Sequence, residues 1–231
     1  MKTLTEKDQA YVCDIQAPCF QALSPEELAL LQESKTQVLF HKGETLVKQG
    51  AFASYILFLH SGIAKQYIEA EGTRNLNIRL LGPGEFAGLP AVFTDRKFSY
   101  SVAALSEVHA FLIEIDAIGQ LMQHNAAFSF RISQRFCRFQ TGLLANMHHL
   151  AYKQMNGRMA DVLLYIEGFK GERNDIFSAL SRRDIAEFAG MSTESAVKIL
   201  KSFEKEGLIR LEDKDIHLLK MEKLQEVAEV G

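Results

Sequence analysis

One segment of twenty residues, 181–200, constrains the fold of this chain more than any other. Ser181 followed three residues later by Asp184 is similar to a capping box and predicts the start of a helix. Gly190 permits the backbone conformation that ends this helix, and Ser192 is a good N-cap for a second one. The inward-facing residues of the second helix recur at helical spacing: Ala196, Ile199, Leu200 and Phe203. The segment therefore predicts two helices joined by a tight turn.

The outward face of the second helix carries side chains that can read DNA. In a helix-turn-helix, the N-terminal part of the second helix enters the major groove. Glu194 can accept from a cytosine N4 amine, Lys198 can donate to guanine O6 and N7, and Val197 can touch a thymine methyl group. Alternatively, Glu194 and Lys198 form a surface ion pair worth about 0.2–0.5 kcal/mol. The residues predicted to contact double-stranded DNA are Arg182, Ser192, Thr193, Glu194, Ser195, Val197, Lys198 and Lys201.

Two short apolar runs after Gly207 predict a β-hairpin. Residues 208–211 and 216–219 flank a polar tip at 212–215. A hairpin that directly follows the second helix is typical of the winged variant of this motif. Arg210 or Lys214 would then lie near DNA phosphates and position the protein without reading sequence.

Composition places the chain among ordinary soluble proteins. Its 231 residues, of which 47% are hydrophobic and 24% charged, can form one or two domains with real cores. No apolar run approaches the ~18 residues of a membrane span, and the N-terminus lacks the apolar core of a signal peptide. We therefore expect a cytoplasmic protein with no membrane partner. No catalytic motif of the common hydrolase, P-loop or metalloprotease types occurs, which predicts that the chain is not an enzyme.

The net charge of −3 is unusual for a protein that binds nucleic acid. Affinity for phosphates depends on where the cations lie more than on their total. We therefore expect weak non-specific binding and a dependence on dimerisation.

A β-rich region precedes these C-terminal elements. Between residues 36 and 115, short β-prone runs alternate with glycines. The runs lie at residues 38–40, 55–59, 63–68, 76–81, 102–105 and 110–115. This texture predicts a sandwich or a barrel-like roll. Ser24 followed by Pro25 predicts a helix start before it.

A long amphipathic helix follows the β-rich region. Its apolar residues step by three or four positions between residues 128 and 150, a length of about 34 Å. Such a helix between two compact parts favours packing against its own copy; the alternative is packing on its own β-domain. The predicted dimer interface comprises Ile132, Phe136, Phe139, Leu143 and Met147.

The order of these elements resembles the Crp/Fnr family of bacterial transcription regulators. Local markers lie at residues 41–50, 59–62 and 82–88, and the predicted recognition helix completes them. The resemblance implies an α+β fold with an N-terminal double-stranded β-roll (a cyclic-nucleotide-binding-like jelly roll), a long dimerisation helix and a C-terminal winged helix-turn-helix. The implied parts are an N-terminal arm (1–20), the β-roll effector domain (21–116), the dimerisation helix (117–152) and the DNA-binding domain (153–231).

The resemblance also implies a function. Family members are typically homodimers on pseudo-palindromic promoter sites, and an effector or redox signal at the β-roll shifts their DNA-binding domains. An activator would also contact RNA polymerase. Glu194 and Lys198 have the spacing of the Fnr-like branch, which implies a TGA-type half-site. A small-molecule-binding module whose winged helix mediates protein contacts stays open as the alternative, and the acidic balance favours it.

The cyclic-nucleotide signature of the family is incomplete in this chain. Cyclic-nucleotide binders carry a Glu after the glycine of the phosphate-binding turn and an Arg-Ser pair later, and these positions fall on Leu89 and on Phe98–Ser99. A cyclic phosphate needs a guanidinium or an equivalent donor set, so cAMP is not expected. Arg96 and Lys97 could supply a cation in a shifted register. The implied effector pocket is largely apolar and comprises Phe86, Gly88, Leu89, Phe98, Ser99 and Tyr100.

No cofactor is expected, and no metal site. Cys13 and Cys19 match the spacing of the last two N-terminal ligands of the Fnr iron–sulfur cluster, while the other two ligands fall on Ala10 and near Ile113. Four thiolates normally hold such a cluster. An iron–sulfur cluster, haem on one of the histidines, and a redox response of Cys13 and Cys19 stay open as alternatives.

Overall fold

A computed structural model describes residues 1–3, 19–70, 75–169 and 176–231 of the chain. The chain divides into two compact units. The first comprises Met1–Glu69 and Arg79–Thr141, and the second comprises Ala70–Ile78 and Gly142–Gly231. Within these described ranges, no helix is both long enough and apolar enough to span a membrane.

Two β-sheets make up most of the first unit, and only residues 76–78 of one of their strands are counted with the second. The five-stranded sheet has the order β1-β2-β9-β4-β7, with β1 Lys2–Thr3, β2 Lys35–Phe40, β4 Tyr55–Ser61, β7 Phe86–Ala87 and β9 Val108–Glu114. The four-stranded sheet has the order β3-β8-β5-β6, with β3 Thr45–Val47, β5 Ala64–Ile68, β6 Leu76–Leu81 and β8 Ser101–Ala104. The pairings β2–β9, β4–β9 and β5–β8 are antiparallel.

An apolar core lies between the two sheets. Val38 of β2 and Leu59 of β4 are buried in one cluster with Val47 of β3 and Val102 of β8, so both sheets contribute to it. Strand β4 buries both of its faces: Leu57 and Leu59 point into this core, and Ile56 and Phe58, which alternate with them, point to the other side of the sheet. The predicted fold class, a double-stranded β-roll followed by a long helix and a winged helix-turn-helix, is confirmed.

A second apolar cluster covers the five-stranded sheet from outside. It includes the helices α1 Pro25–Glu33 and α2 Ile115–His124 and the beginning of α3 Ala126–Tyr152. The predicted helix start at Ser24 is a capping box, because its side chain accepts from the Glu27 amide while the Glu27 carboxylate accepts from the Ser24 amide. Asn125 separates α2 from α3, and its Oδ1 accepts from the Phe128 amide at 2.9 Å.

One residue of the predicted dimer face belongs to this second cluster. Ile132 is 1% exposed and lies with Phe128 in the core of the first unit. It is therefore not available to a partner chain, and for this residue the alternative interpretation, packing on the chain's own β-domain, is correct. The helical spacing identified a buried face but not what buries it.

The second unit contains the remaining elements: α4 Met155–Gly168, α5 Ile176–Ala179, α6 Arg182–Phe188, α7 Thr193–Lys205, β10 Ile209–Glu212, β11 Asp215–Leu218 and α8 Met221–Val230. Buried residues from each of these helices form its core, with Leu163, Phe177, Leu200 and Leu224 less than 2% exposed. The hairpin β10–β11 is antiparallel with a two-residue turn at Asp213 and Lys214.

The local signals in residues 181–200 act as the sequence predicts. Ser181 and Asp184 form a reciprocal capping box at the start of α6, and Ser192 caps α7 by accepting from the Ser195 amide. Gly190 has a φ of +60°, and a Cβ on it would lie 2.6 Å from Cδ2 of Leu150. Only glycine meets both requirements without strain.

Candidate nucleic-acid interface and effector cavity

One face of α7 is polar and open. Thr193, Glu194, Lys198 and Lys201 are exposed, whereas Ala196, Ile199, Leu200 and Phe203 hold the opposite face in the core. Ser195 and Val197 are half-buried along the edge of the open face. The first two turns of the helix therefore present the side chains that a major-groove helix needs.

The surface ion pair that the sequence left open is absent among the residues the structure describes. Neither Glu194 nor Lys198 has a hydrogen-bond or ion-pair partner there. Both groups keep their full hydrogen-bonding capacity for a ligand. A carboxylate and an ammonium group one turn apart can therefore contact neighbouring base edges.

Ser192 has a structural role at the start of α7. Its Oγ accepts from the Ser195 amide at 3.1 Å and donates to the Ser195 Oγ at 2.9 Å. The Ser195 hydroxyl keeps its own hydrogen for another acceptor. Of the two serines, Ser195 is the one with a free donor.

Arg182 is engaged with the hairpin. Its guanidinium donates to three carbonyls of the hairpin turn: those of Asp213 at 3.2 Å, Lys214 at 3.2 Å and Asp215 at 3.4 Å. Burial lowers the pKa of this guanidinium from its usual value. Arg182 therefore fixes the hairpin to the start of α6, a contact that sequence reasoning missed.

Two basic side chains of the hairpin lie close to a carboxylate. The Arg210 Nε lies 2.8 Å from the Glu212 carboxylate, and the His217 Nε2 lies 3.0 Å from its other oxygen. Lys214, at the turn, is exposed and has no ion-pair partner among the described residues. Lys214 is thus the better placed of the two cations predicted to reach phosphate.

The outer face of α3 carries exposed apolar side chains at heptad spacing. Phe130, Cys137 and Leu144 follow one another every seven residues, and Met147 lies three residues after Leu144. Leu144 is 66% exposed and Met147 58% exposed. We call these four residues the α3 seam. Of the predicted interface, only Met147 belongs to this seam; Leu143 is half-buried beside it.

Phe136 and Phe139 line a cavity inside the first unit. The other walls come from the loop and strand around Phe86, from Leu89 and Pro90, and from Arg79, Glu85, Tyr100 and Arg135. The space that water-sized molecules could fill is about 50 Å³. Phe86, Leu89 and Tyr100 were predicted here, whereas both arginines, Glu85 and the two α3 phenylalanines were not.

The two arginines of the cavity have different environments. Arg79 pairs with Glu85 at 2.6 Å and donates to the Gln66 side chain at 2.9 Å. Arg135 donates to the Gly84 carbonyl and lies over the Phe86 ring, and it has no carboxylate partner among the described residues. The wall thus carries one positive charge that no carboxylate of residues 1–3, 19–70, 75–169 or 176–231 balances.

The turn at Gly88 is closed by the chain itself. The Gly88 amide donates to the Tyr100 hydroxyl at 2.8 Å, and a Cβ on Gly88 would lie 2.6 Å from the Phe98 ring. Burial raises the pKa of Tyr100, which stays a neutral phenol. Ser99, also predicted for the pocket, is exposed and is not part of the lining.

Metal ligands do not cluster in the part of the chain that the structure describes. No group of three or more His, Cys, Asp or Glu side chains there is arranged to hold a metal ion. Cys13 lies outside the described residues. Cys19 is 2% exposed, and burial raises the pKa of its thiol. A buried thiol with a raised pKa is a poor nucleophile.

Comparison with known proteins identifies both parts of the chain. Residues 37–125 match the cyclic nucleotide-binding domain, and residues 157–227 match the Crp-like helix-turn-helix domain. The CRP-like cAMP-activated global transcriptional regulator of Mycobacterium tuberculosis is 25% identical over 90% of this chain and 95% of its own length. The cyclic AMP receptor protein of Thermus thermophilus is 21% identical over 92% of this chain and 97% of its own length.

A solved structure extends the likeness to the whole fold. A protein from Eubacterium rectale assigned to the crp/fnr family of transcriptional regulators superposes with a TM-score of 0.78 and 18% identity, over 92% of this chain and 98% of that one. Two matching domains in the family order, relatives that span nearly the full length and a shared fold agree. The chain belongs to the Crp/Fnr family of transcription regulators.

Proposed function

We propose that this regulator acts as a homodimer that binds a pseudo-palindromic promoter site with the two copies of α7 and responds to a signal at the β-roll. The observation that carries the proposal is the open face of α7, where Glu194 and Lys198 are exposed and have no partner in the part of the chain that the structure describes. If these groups were buried or paired, they would have a structural role. Because they are exposed at the start of the second helix of a helix-turn-helix, they suit base recognition.

Base reading and backbone contact fall to different side chains. Glu194 accepts from a cytosine amine, Lys198 donates to a guanine edge, and Val197 contacts a thymine methyl group. Thr193, Ser195 and Lys201 contact phosphates or base edges. Ser192 caps α7, and Arg182 holds the hairpin so that Lys214 reaches a phosphate.

The α3 seam supports the homodimer. Phe130, Cys137 and Leu144 occupy equivalent positions of successive heptads, the spacing at which two parallel helices pack. Single exposed apolar residues are common, but a row of them on one helix marks an interaction surface. A second copy of the same seam is its natural partner, because a two-fold axis brings identical positions together.

Cys137 supplies a direct test of this dimer. In a parallel pair of α3 helices, the two copies of Cys137 face each other, and a disulfide forms only between Cα atoms within about 7 Å. Mild oxidation should therefore give a covalent dimer that Cys137→Ser abolishes and Cys19→Ser does not. A chain that stays monomeric at micromolar concentration, or one that crosslinks without Cys137, would contradict the seam.

Binding-site selection from random duplex DNA tests the function itself. We expect enrichment of an inverted repeat whose half-sites are about one helical turn apart, because each protomer reads one half-site. The affinity should fall steeply with salt, since each phosphate contact releases counterions. Failure to enrich any sequence would leave the chain as a module whose winged helix contacts proteins, and would overturn the proposal.

A signal at the β-roll is the remaining part of the proposal. The relatives in Mycobacterium tuberculosis and Thermus thermophilus carry cAMP in their names, and the first unit matches a cyclic nucleotide-binding domain. The cavity under α3 is the place where a ligand would contact both the roll and the long helix. If the regulator is an activator, RNA polymerase is a further partner.

A further inference from the structure

Side chains of this protein fill the turn at Gly88, where the family resemblance places the phosphate of a cyclic nucleotide. The amide of Gly88 would be a donor for an anionic ligand, but it donates to the Tyr100 hydroxyl instead. The Phe98 ring packs against the same glycine, where a Cβ would already lie 2.6 Å away. A cyclic phosphate placed there would have to displace a buried tyrosine and a ring that packs with both apolar clusters of the roll.

A shifted register does not restore the missing cation. Arg96 forms an ion pair with Asp116 through both terminal nitrogens, and Lys97 lies 3.9 Å from Asp95. Neither residue lines the cavity. Leu89 also brings an apolar side chain to the wall. The residues present therefore do not fit a cyclic nucleotide.

Two polar groups of the cavity nevertheless lack a partner among the described residues. Arg135 carries the one charge that no carboxylate in the described residues balances. Tyr100 accepts from Gly88, but its own hydroxyl hydrogen has no acceptor among the described residues, although the residue is only 6% exposed. Buried donors normally have acceptors. A guanidinium and a phenol on one wall together suit a carboxylate.

The remaining lining residues and the volume of the cavity limit the polarity and the size of the rest of the ligand. Phe86, Leu89, Phe136 and Phe139 are apolar. A volume of about 50 Å³ is less than that of two molecules of liquid water at ~30 Å³ each, and pockets for drug-sized ligands begin near ~300 Å³. From these observations we propose that the cavity binds a small organic monocarboxylate of about the size of acetate, and not a cyclic nucleotide. This inference specifies the signal of the proposed function and rests on it.

Ligand binding to the full-length protein without DNA tests the inference separately from DNA recognition. Sodium acetate, acetamide, sodium nitrate and cAMP are titrated, with thermal shift and saturation-transfer NMR as readouts. We expect acetate to raise the thermal midpoint and to bind with a dissociation constant of about 1 mM or lower. Acetamide should bind at least ~10-fold more weakly, because it lacks the charge that Arg135 pairs with.

Variants of the lining residues test whether the probe binds in the cavity. Arg135→Gln should weaken acetate binding by roughly 10- to 100-fold, and Tyr100→Phe by roughly 5- to 10-fold. Tyr100→Phe keeps the test valid if loss of the Gly84 contact unfolds the Arg135 variant. Arg138→Gln, on an exposed part of the same helix, is the matched control and should leave acetate binding unchanged.

Each other result overturns the inference. Binding of cAMP but not of acetate would show that the cavity opens for a nucleotide. Equal binding of nitrate and acetate would show that the cavity takes any small anion and does not recognise an organic carboxylate. No binding of any probe would show that the cavity has no ligand of this kind. In all three cases DNA recognition by α7 stays as it was, because it is measured on different residues.

Discussion

The two sides of α3 should respond differently to truncation. Ile132 is 1% exposed in the core of the first unit, whereas Leu144 is 66% exposed on the α3 seam. Truncation of a buried isoleucine to alanine costs about 2–5 kcal/mol, because both transfer free energy and packing are lost. We therefore expect Ile132→Ala to lower the free energy of unfolding by about this amount.

Leu144→Ala should act on association instead. Full burial of a leucine side chain is worth about 1.5–3 kcal/mol. Two-thirds of that value, lost once from each protomer, weakens the dimer by about 2–4 kcal/mol, or roughly 30- to 1,000-fold in its dissociation constant. The stability of the separated protomer should change by less than about 0.5 kcal/mol, as for other exposed sites.

Urea unfolding at several protein concentrations, together with sedimentation equilibrium, separates the two effects. Unfolding of the Ile132→Ala protein should shift at every concentration, and that of Leu144→Ala only where the dimer contributes. The reasoning fails if Ile132→Ala leaves protomer stability within about 0.5 kcal/mol of the parent while weakening the dimer. That result would show that Ile132 belongs to the dimer interface, as helical spacing alone predicts.

Three further changes test individual contacts. Gly88→Ala should destabilise the roll by at least about 1–3 kcal/mol, because the residue has a φ of +89° and its Cβ would lie 2.6 Å from the Phe98 ring; urea unfolding measures this, and an unchanged midpoint would refute it. Arg182→Gln should lower DNA affinity equally on all sequences, since it loosens the hairpin; a loss confined to one base pair would instead make it a base reader. The amide of Ser24 and then the side chain of Asn125 hold the pKa of Glu27 below its usual 4.5, so its contribution is present above pH 4.5 and is lost as pH falls through the lowered pKa. Glu27→Gln should therefore be less stable than the parent at neutral pH, and thermal unfolding should show the difference shrinking in acid; a difference that persists at low pH would contradict this.

Local signals explain what the sequence predicted well. Ser181, Gly190 and Ser192 each act on backbone groups within a few residues, so their effect does not depend on the rest of the fold. The spacing of inward residues on α7 also left its polar face unambiguous. The fold class and the exposed polar face of α7 could therefore be predicted from residues close together in the chain.

The face of α3 could not be read in the same way. Apolar residues at spacings of three and four show that one side of a helix is buried, but a roll and a second protomer bury it equally well. The structure assigns Ile132 to the roll and Phe136 and Phe139 to the cavity wall. Sequence reasoning missed the seam of Phe130, Cys137 and Leu144, because other apolar residues between its members also recur at helical spacing.

The cavity depends on contacts that are distant in sequence. Arg79 is on β6, Tyr100 immediately precedes β8 and Arg135 is on α3, so only the tertiary fold brings them to one wall. No short motif marks them. The nearby turn at Gly88 was recognisable, and Tyr100 was predicted to line the pocket, but not to accept from the Gly88 amide with its hydroxyl.

The central claim is that α7 reads DNA sequence through Glu194, and a specificity measurement tests it most directly. Fluorescence anisotropy gives the affinities of the parent, Glu194→Ala and the control Lys205→Ala for a selected site and its single-base variants. The parent should discriminate at each read position by about 1–3 kcal/mol, or roughly 5- to 150-fold. Glu194→Ala should lose this preference at one symmetric base pair and keep it elsewhere, while Lys205→Ala keeps it throughout. An equal loss by Glu194→Ala on every sequence, or no preference in the parent, would contradict the account.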